Sequence, residues 1–235
     1  MRMGGKAEAV NAGVSDDSRA KAGTAVRVVE LPGERLAEAA SVLARAFHNN
    51  PNFVDLFPDP RARSRALPAL QGTCLRDALG FGRVYAAVRG ASGGGELVGV
   101  AAWLPPGGFP LSPMRQLRAL PGMARILAAA PRSFPRLARF GANVTRLHPA
   151  LPYWYLEVVG VDPGARGLGV GTRLLEPGLT RADEAGHHCY LETMTERNVA
   201  WYRGLGFEVD RAGVFFTPGG PPKWTMIRTP RQPRP

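Results

Sequence analysis

Residues 153–172 read YWYLEVVGVDPGARGLGVGT, and how this stretch is interpreted decides the fold. Tyr155 to Val161 is apolar and rich in β-branched residues, the composition of a strand. Asp162-Pro163-Gly164 stops it, because proline withdraws a ladder donor and glycine accepts turn geometry. Glycines then recur at 167, 169 and 171, just before Thr172-Arg173-Leu174-Leu175 resumes an apolar helical pattern. Backbone N–H groups left uncovered at the positive end of a helix dipole suit a phosphate or pyrophosphate. A glycine turn kept only for tight strand–helix packing is the other reading. A P-loop would need lysine after its closing glycine, and Val170 follows Gly169 instead. The dinucleotide fingerprint fails at its third glycine, where Thr172 or Val170 stands, depending on the register. What does fit is Arg-x-x-Gly-x-Gly, on Arg166, Gly169 and Gly171.

That pattern resembles the acyl-CoA pyrophosphate loop of the GNAT superfamily of N-acetyltransferases. Downstream, Arg197-Asn198-Val199-Ala200-Trp201-Tyr202 followed by Gly204-Leu205-Gly206-Phe207 resembles the family's last helix and its Gly-Phe turn into the next strand. Over roughly residues 148–230 the order of motifs is similar to the puromycin N-acetyltransferase branch and its actinobacterial relatives. These are Trp154-Tyr155-Leu156, the glycine loop, Tyr190-Leu191-Glu192-Thr193, Asn198, Tyr202 and Trp224-Thr225-Met226. The first half matches in element order alone. The resemblance implies a single α/β domain over residues 26–230. Its mixed, twisted sheet of six to seven strands is flanked by helices, with a leader at 1–25 and a tail at 231–235.

Composition sets outer bounds. A chain of 235 residues, 45% of them hydrophobic, can bury one substantial core. No apolar run approaches the roughly 20 residues of a membrane span. The basic N-terminus lacks an apolar segment after it, so no secretory signal is read there. Cys74 and Cys189 make no disulfide framework and point to a reducing cytoplasm. The formal charge of +11 is almost all arginine, Lys6, Lys21 and Lys223 being the lysines. Abundant Ala, Arg, Gly and Pro read as coding bias, and no basic–aromatic interleaving marks a nucleic-acid partner. His187-His188-Cys189 gives no metal site, since adjacent strand residues point to opposite faces.

In chain order, residues 25–31 read as a first strand and 34–47 as a helix with Leu36, Ala39, Ala40, Leu43, Ala46 and Phe47 on one face. Residues 48–53 read as turn. A second helix spans 61–79, and strands at 83–88 and 96–104 enclose a hairpin loop at 91–95. Residues 105–152 read as an insertion of short, proline-punctuated helices with seven arginines. No Asp or Glu occurs between Glu96 and Glu157. Leu117, Leu120, Met123, Ile126 and Leu127 are expected inward and the arginines solvated, the whole forming a basic lid over the acceptor pocket or near the CoA phosphates. After the loop come a helix at 172–186 with Pro177 near its first turns, a strand at 188–193 and a helix at 196–203. A closing hairpin runs from 207–209 to 215–216, with a last strand at 221–228.

The resemblance also implies a chemistry: direct acetyl transfer from acetyl-CoA to a primary amine through a ternary complex. Arg166 and the amides around Gly167, Leu168, Gly169, Val170, Gly171 and Thr172 would hold the pyrophosphate. Val159, with Gly160 and Val161 beside it, would offer an oxyanion donor, and Asn198 would bond the pantetheine arm. Tyr202 matches the family's general acid, because a tyrosine of pKa about 10 is protonated at neutral pH. Glu192 and Glu157 are the two candidates for the base. Phe47, Asn50, Phe53 and Tyr155 are candidates for the acceptor wall, with Phe57 beside them; the phenylalanines also read as core. The partner expected is a small-molecule amine, an antibiotic such as puromycin among the options. A homodimer is open, and an inactive acyl-CoA-binding module and a protein N-acetyltransferase are the alternatives.

Overall fold

The computed structural model describes residues 25–90 and 94–231. The expected leader and tail lie outside these residues, except for Ala25 and Arg231, as does most of the 91–95 loop. Seven strands form one sheet: β1 (Val26–Glu30), β2 (Arg83–Arg89), β3 (Glu96–Leu104), β4 (Tyr153–Val161), β5 (His188–Thr193), β6 (Glu208–Val214) and β7 (Lys223–Arg228). Their order is β1-β2-β3-β4-β5-β7-β6. Every pairing is antiparallel except β4 with β5. The helices are α1 (Leu36–Phe47), α2 (Pro51–Leu56), α3 (Pro60–Phe81), α4 (Pro113–Ala129), α5 (Phe134–Leu147), α6 (Val170–Glu184) and α7 (Glu196–Gly204).

Strand alternation sorts the sheet into two faces. Val84, Ala86, Val88, Tyr153 and Tyr155 join α1 and α3 residues such as Leu43 and Leu75 in one core. Trp103, Trp154 and Leu191 join Leu174, Leu175 and Leu179 of α6 in the other. A third cluster, Leu56, Phe57, Leu67, Ile126 and Ala130, fastens α2, α3 and α4 together.

The parallel seam is short. It pairs Tyr153 with His188, Trp154 with Cys189 and Tyr155 with Tyr190, and goes no further. Beyond Tyr155, β4 stays paired with β3 but loses β5. A register shift falls there too: Ala102 pairs with Val158 and Trp103 with Leu156, leaving Glu157 as the extra residue of a bulge. A bulge increases local twist, which helps the two strands splay.

Several sequence expectations are corrected. Residues 51–56 form α2 rather than turn, because Asn50 Oδ1 accepts the Asn52 N–H as N-cap and Pro51 sits at the tolerant first position. The 105–152 insertion is two substantial helices, not short ones. On α4, Leu117 (59% exposed) faces outward, Ile126 is buried, and Leu120 and Met123 are exposed to a cavity beneath the helix. Arg115 is buried instead of solvated, its Nε 2.9 Å from Asp77 Oδ1. The closing hairpin is β6 with β7, and Phe215 and Phe216 belong to the loop between them. Pro177 lies in the interior of α6, since that helix begins at Val170. The carbonyl it leaves without a donor belongs to Arg173, on the exposed side.

The next residue, Gly178, is where α6 meets the sheet. A Cβ there would overlap the indole of Trp103, itself fully buried. Gly178→Ala is therefore expected to destabilise the protein by about 1–3 kcal/mol. A denaturant midpoint equal to that of the wild type would show that the indole can move aside.

Candidate active site

Two cavities meet where β4 and β5 part. The first, about 790 Å³, lies between the β4–α6 loop and α7, with the end of α1 as its third side. The sequence candidates Val159, Gly160, Val161, Arg166, Gly167, Gly169, Val170, Gly171, Thr172, Asn198 and Tyr202 all line it. Leu168 does not; its side chain is 58% exposed. Gly167 (φ 81°) and Gly169 (φ 70°) adopt the left-handed region, which accounts for glycine at both. At Gly171 the reason differs, since a Cβ would press on the Trp201 ring at 3.1 Å. Trp201 also donates from Nε1 to Thr172 Oγ1 at 3.2 Å, tying α7 to the loop.

Electrostatically this cleft suits a polyanion. Arg45, Arg166 and Arg197 line it, and among the described residues no carboxylate does. Arg166 donates to the Ala46 carbonyl at 2.9 Å, and Arg45 bridges to Asp162 at 2.8 Å, drawing the end of α1 towards the loop. None of the arginines of the 105–152 insertion reaches this cleft, so its phosphate-side role is not borne by them. Sequence reasoning missed Arg45, Arg197 and Trp201, although Arg197 and Trp201 stand inside the α7 motif.

Backbone direction at the splayed edge follows from register. Asp162 N–H donates to Val98 O at 2.8 Å, towards β3. Successive residues of a strand alternate, so the N–H groups of Val159 and Val161 point the other way, into the cleft that β5 has vacated.

The second cavity, about 700 Å³, lies on the α1/α3 side of the sheet under α4 and α5. Phe47, Asn50, Phe53 and Tyr155 line it, while Phe57 is fully buried in the third cluster and lines neither cavity. Leu120 and Met123 of α4 and Leu137, Phe140 and Val144 of α5 complete a mostly apolar wall. Phe47, Asn50, Val159, Asn198 and Tyr202 line both cavities. The two spaces are thus one bent passage, with its elbow at the mouth of the β4/β5 splay.

The charged groups of this chamber are Glu157, Glu192 and Lys223. Glu192 is well supplied with neighbours: Tyr155 Oη donates to it at 3.0 Å, and His148 Nε2 lies 3.2 Å from its other oxygen, outside good hydrogen-bond geometry. His148 Nδ1 is in turn 2.6 Å from Tyr153 Oη. Each of the two carboxyls keeps one buried oxygen without a hydrogen-bond partner, Oε1 of Glu192 and Oε2 of Glu157, and burial pushes the Glu157 carboxyl up to about 8. Asp77 pushes in the same direction, and Arg115 and Cys74 pull against it. Tyr202, 5% exposed, has its hydroxyl raised above the ordinary tyrosine range by burial. Among the described residues that hydroxyl makes no hydrogen bond.

The sequence profile of the Acetyltransferase (GNAT) family matches residues 56–207. The chain belongs to this family. Among solved structures, the crystal structure of histone acetyltransferase HPA2 and related acetyltransferase from Corynebacterium glutamicum is similar at 29% identity and a TM-score of 0.66, over 89% of this chain and 99% of that one. The Drosophila melanogaster polyamine N-acetyltransferase shares the fold at 16% identity and a TM-score of 0.54, over 87% of this chain and 100% of that one. In sequence, N-alpha-acetyltransferase RimI of Mycobacterium tuberculosis is 36% identical over 93 residues, 37% of this chain. An uncharacterised Mycobacterium leprae protein is 40% identical over 68 residues, 28% of this chain. The matches span 56% of RimI and 19% of the M. leprae protein. The seven-stranded GNAT sheet therefore agrees with the sequence expectation for fold class, and no described helix is long and apolar enough to cross a membrane.

Proposed function

We propose that the protein transfers an acetyl group from acetyl-CoA directly to the primary amine of a small molecule. The observation that carries this reading is the shared elbow: a cleft rich in arginine and free of acid opens, at Val159, Asn198 and Tyr202, into an apolar chamber holding two carboxylates. The loop amides, Arg45, Arg166 and Arg197 fit a pyrophosphate, and a cleft without carboxylates fits nothing cationic. Acetyl-CoA supplies an activated thioester.

The chain's own groups do the rest. Asn198 orients the pantetheine arm at the elbow. The Val159 N–H meets the charge that develops on the carbonyl oxygen. Glu157 takes the proton that the amine sheds as its C–N bond forms: burial lifts its carboxyl to about 8, within the working range of a base, and one oxygen of Glu192 already accepts from Tyr155. Tyr202 gives its proton to the sulfur as the C–S bond breaks. The helices of the 105–152 insertion act as a lid over the acceptor. Transfer passes through a ternary complex, since burial holds both thiols protonated: Cys74 on the chamber wall is raised well above the ordinary cysteine range, and buried Cys189 is pushed up to about 12.

Thiol release from acetyl-CoA with a panel of amines that includes puromycin, run beside calorimetric CoA binding, tests this. Release of thiol with at least one amine is the expected result. Absence of CoA binding would overturn the proposal and leave the glycine loop as a packing turn.

A further inference from the structure

Lys223 is the cationic group of the chamber wall among the described residues, and this chemistry leaves it unused. It is the only lysine among the described residues and is 2% exposed. Its Nζ donates to Asn52 Oδ1 at 2.6 Å and stands 4.7 Å from the Phe216 ring centroid and 5.7 Å from that of Phe140. An ammonium has three donors, and among the described residues one of them finds a hydrogen bond and none an ion pair. Of the nearby acids, Asp55 accepts from Thr217 and one oxygen of Glu192 from Tyr155, and neither carboxylate bonds to Nζ. A desolvated cation with two donors to spare, on the wall of a cavity sized for a small molecule, is costly unless something fills those donors.

Register fixes where it lies. Glu192 pairs with Thr225, and Lys223 is two residues before Thr225 on the same face of β7. Lys223 is thus the diagonal neighbour of Glu192, at a Cβ separation of roughly 7–8 Å for such pairs. The chamber wall thus carries the carboxyls of Glu157 and Glu192 and, one diagonal step from Glu192, the ammonium of Lys223. Burial lowers the Lys223 ammonium to about 8, against the opposing influence of Glu192 and Asp55.

We infer that the acceptor is an apolar primary amine bearing a carboxylate at its far end, the amine lying towards Glu157 and Glu192 and the carboxylate received by Lys223. This rests on the transferase reading and adds the substrate class. It also sets a discrimination. A diamine would bring its second ammonium against Lys223 and is refused, so the preference is opposite to that of an acceptor site built for polyamines.

The test compares 4-(aminomethyl)benzoate, benzylamine and putrescine by thiol release, and the first two also by calorimetric binding. The wild-type protein is expected to favour 4-(aminomethyl)benzoate over benzylamine by about 10- to 100-fold in kcat/KM, the worth of a charge-assisted hydrogen bond. Putrescine should be the poorest of the three. In Lys223→Met the ratio between the two aromatic amines should fall towards one, and in Lys223→Arg it should partly return. A ratio is unaffected by how much of the variant folds, so a purely structural lysine would lower both rates and leave it unchanged. Turnover of benzylamine without a carboxylate preference in the wild type overturns the inference and leaves the transferase standing. Failure of all three amines removes their support from the transferase, and the two calorimetric affinities, equal or unequal, then decide the inference alone.

Discussion

Glu157→Gln is expected to lower thiol release by about 10²–10⁴-fold, the usual worth of a positioned base, while making the protein more resistant to heat at pH 8. Both effects have one source. The Glu157 carboxyl is buried on the bulge of β4, and its neighbours are Cys74 and Asp77 of α3, Arg115 of α4 and Glu192 of β5. Burial raises its pKa from 4.5 to about 8. The unfolded chain therefore loses this proton before the folded one does. The group costs nothing below pH 4.5, and its penalty grows as pH rises, levelling off above about 8. Glutamine, uncharged at every pH, escapes that cost. The gain in melting temperature should be absent near pH 4 and increase towards pH 8. In free energy it grows by at most about 1.4 kcal/mol for each pH unit climbed between those two limits. Calorimetric scans of both proteins across this range read it directly. A difference in melting temperature independent of pH would mean that Glu157 is ionised in the fold at little cost, and undiminished thiol release would pass the role of base to Glu192.

Tyr202→Phe is expected to reduce kcat by about 10²–10⁴-fold and to leave CoA affinity within a few-fold of the wild type. The ring is held by Trp201 and Phe207 at centroid distances of 4.6 and 5.7 Å, and phenylalanine keeps both contacts. What is lost is a hydroxyl that burial keeps protonated, on a residue that lines both cavities. Calorimetry of CoA with single-turnover kinetics separates the outcomes. An affinity that falls in step with kcat would make Tyr202 part of the cleft wall rather than a proton donor.

The donor side of the site is legible in the sequence because its determinants are local. Left-handed glycines at 167 and 169, the strand period before them and the helix after them all lie within twenty residues. The acceptor side is not, because what matters there is assembled over distance. Lys223 reads as an ordinary polar end of a strand, and the Asn52 that receives it is 171 residues away. The state of Glu157 depends on α3 and α4, and His148 meets Glu192 across the β4/β5 seam. Residues 48–53 mislead for another reason: Asn and Pro end helices and also begin them, and only the Asn50 cap shows which applies.

The parallel seam has a mechanical meaning. It divides the sheet into two antiparallel leaves, β1 to β4 and β5 to β7, sewn together by three residue pairs. Side chains add stitches, Tyr155 to Glu192 and Tyr190 to the Leu147 carbonyl. One leaf carries Val159 and Glu157 and the other Glu192 and Lys223, so the chamber is lined from both sides of the join. A small rotation about this seam would open or close both cavities together, as the covers of a book move about its spine. Whatever fills one cavity therefore bears on the same seam that borders the other.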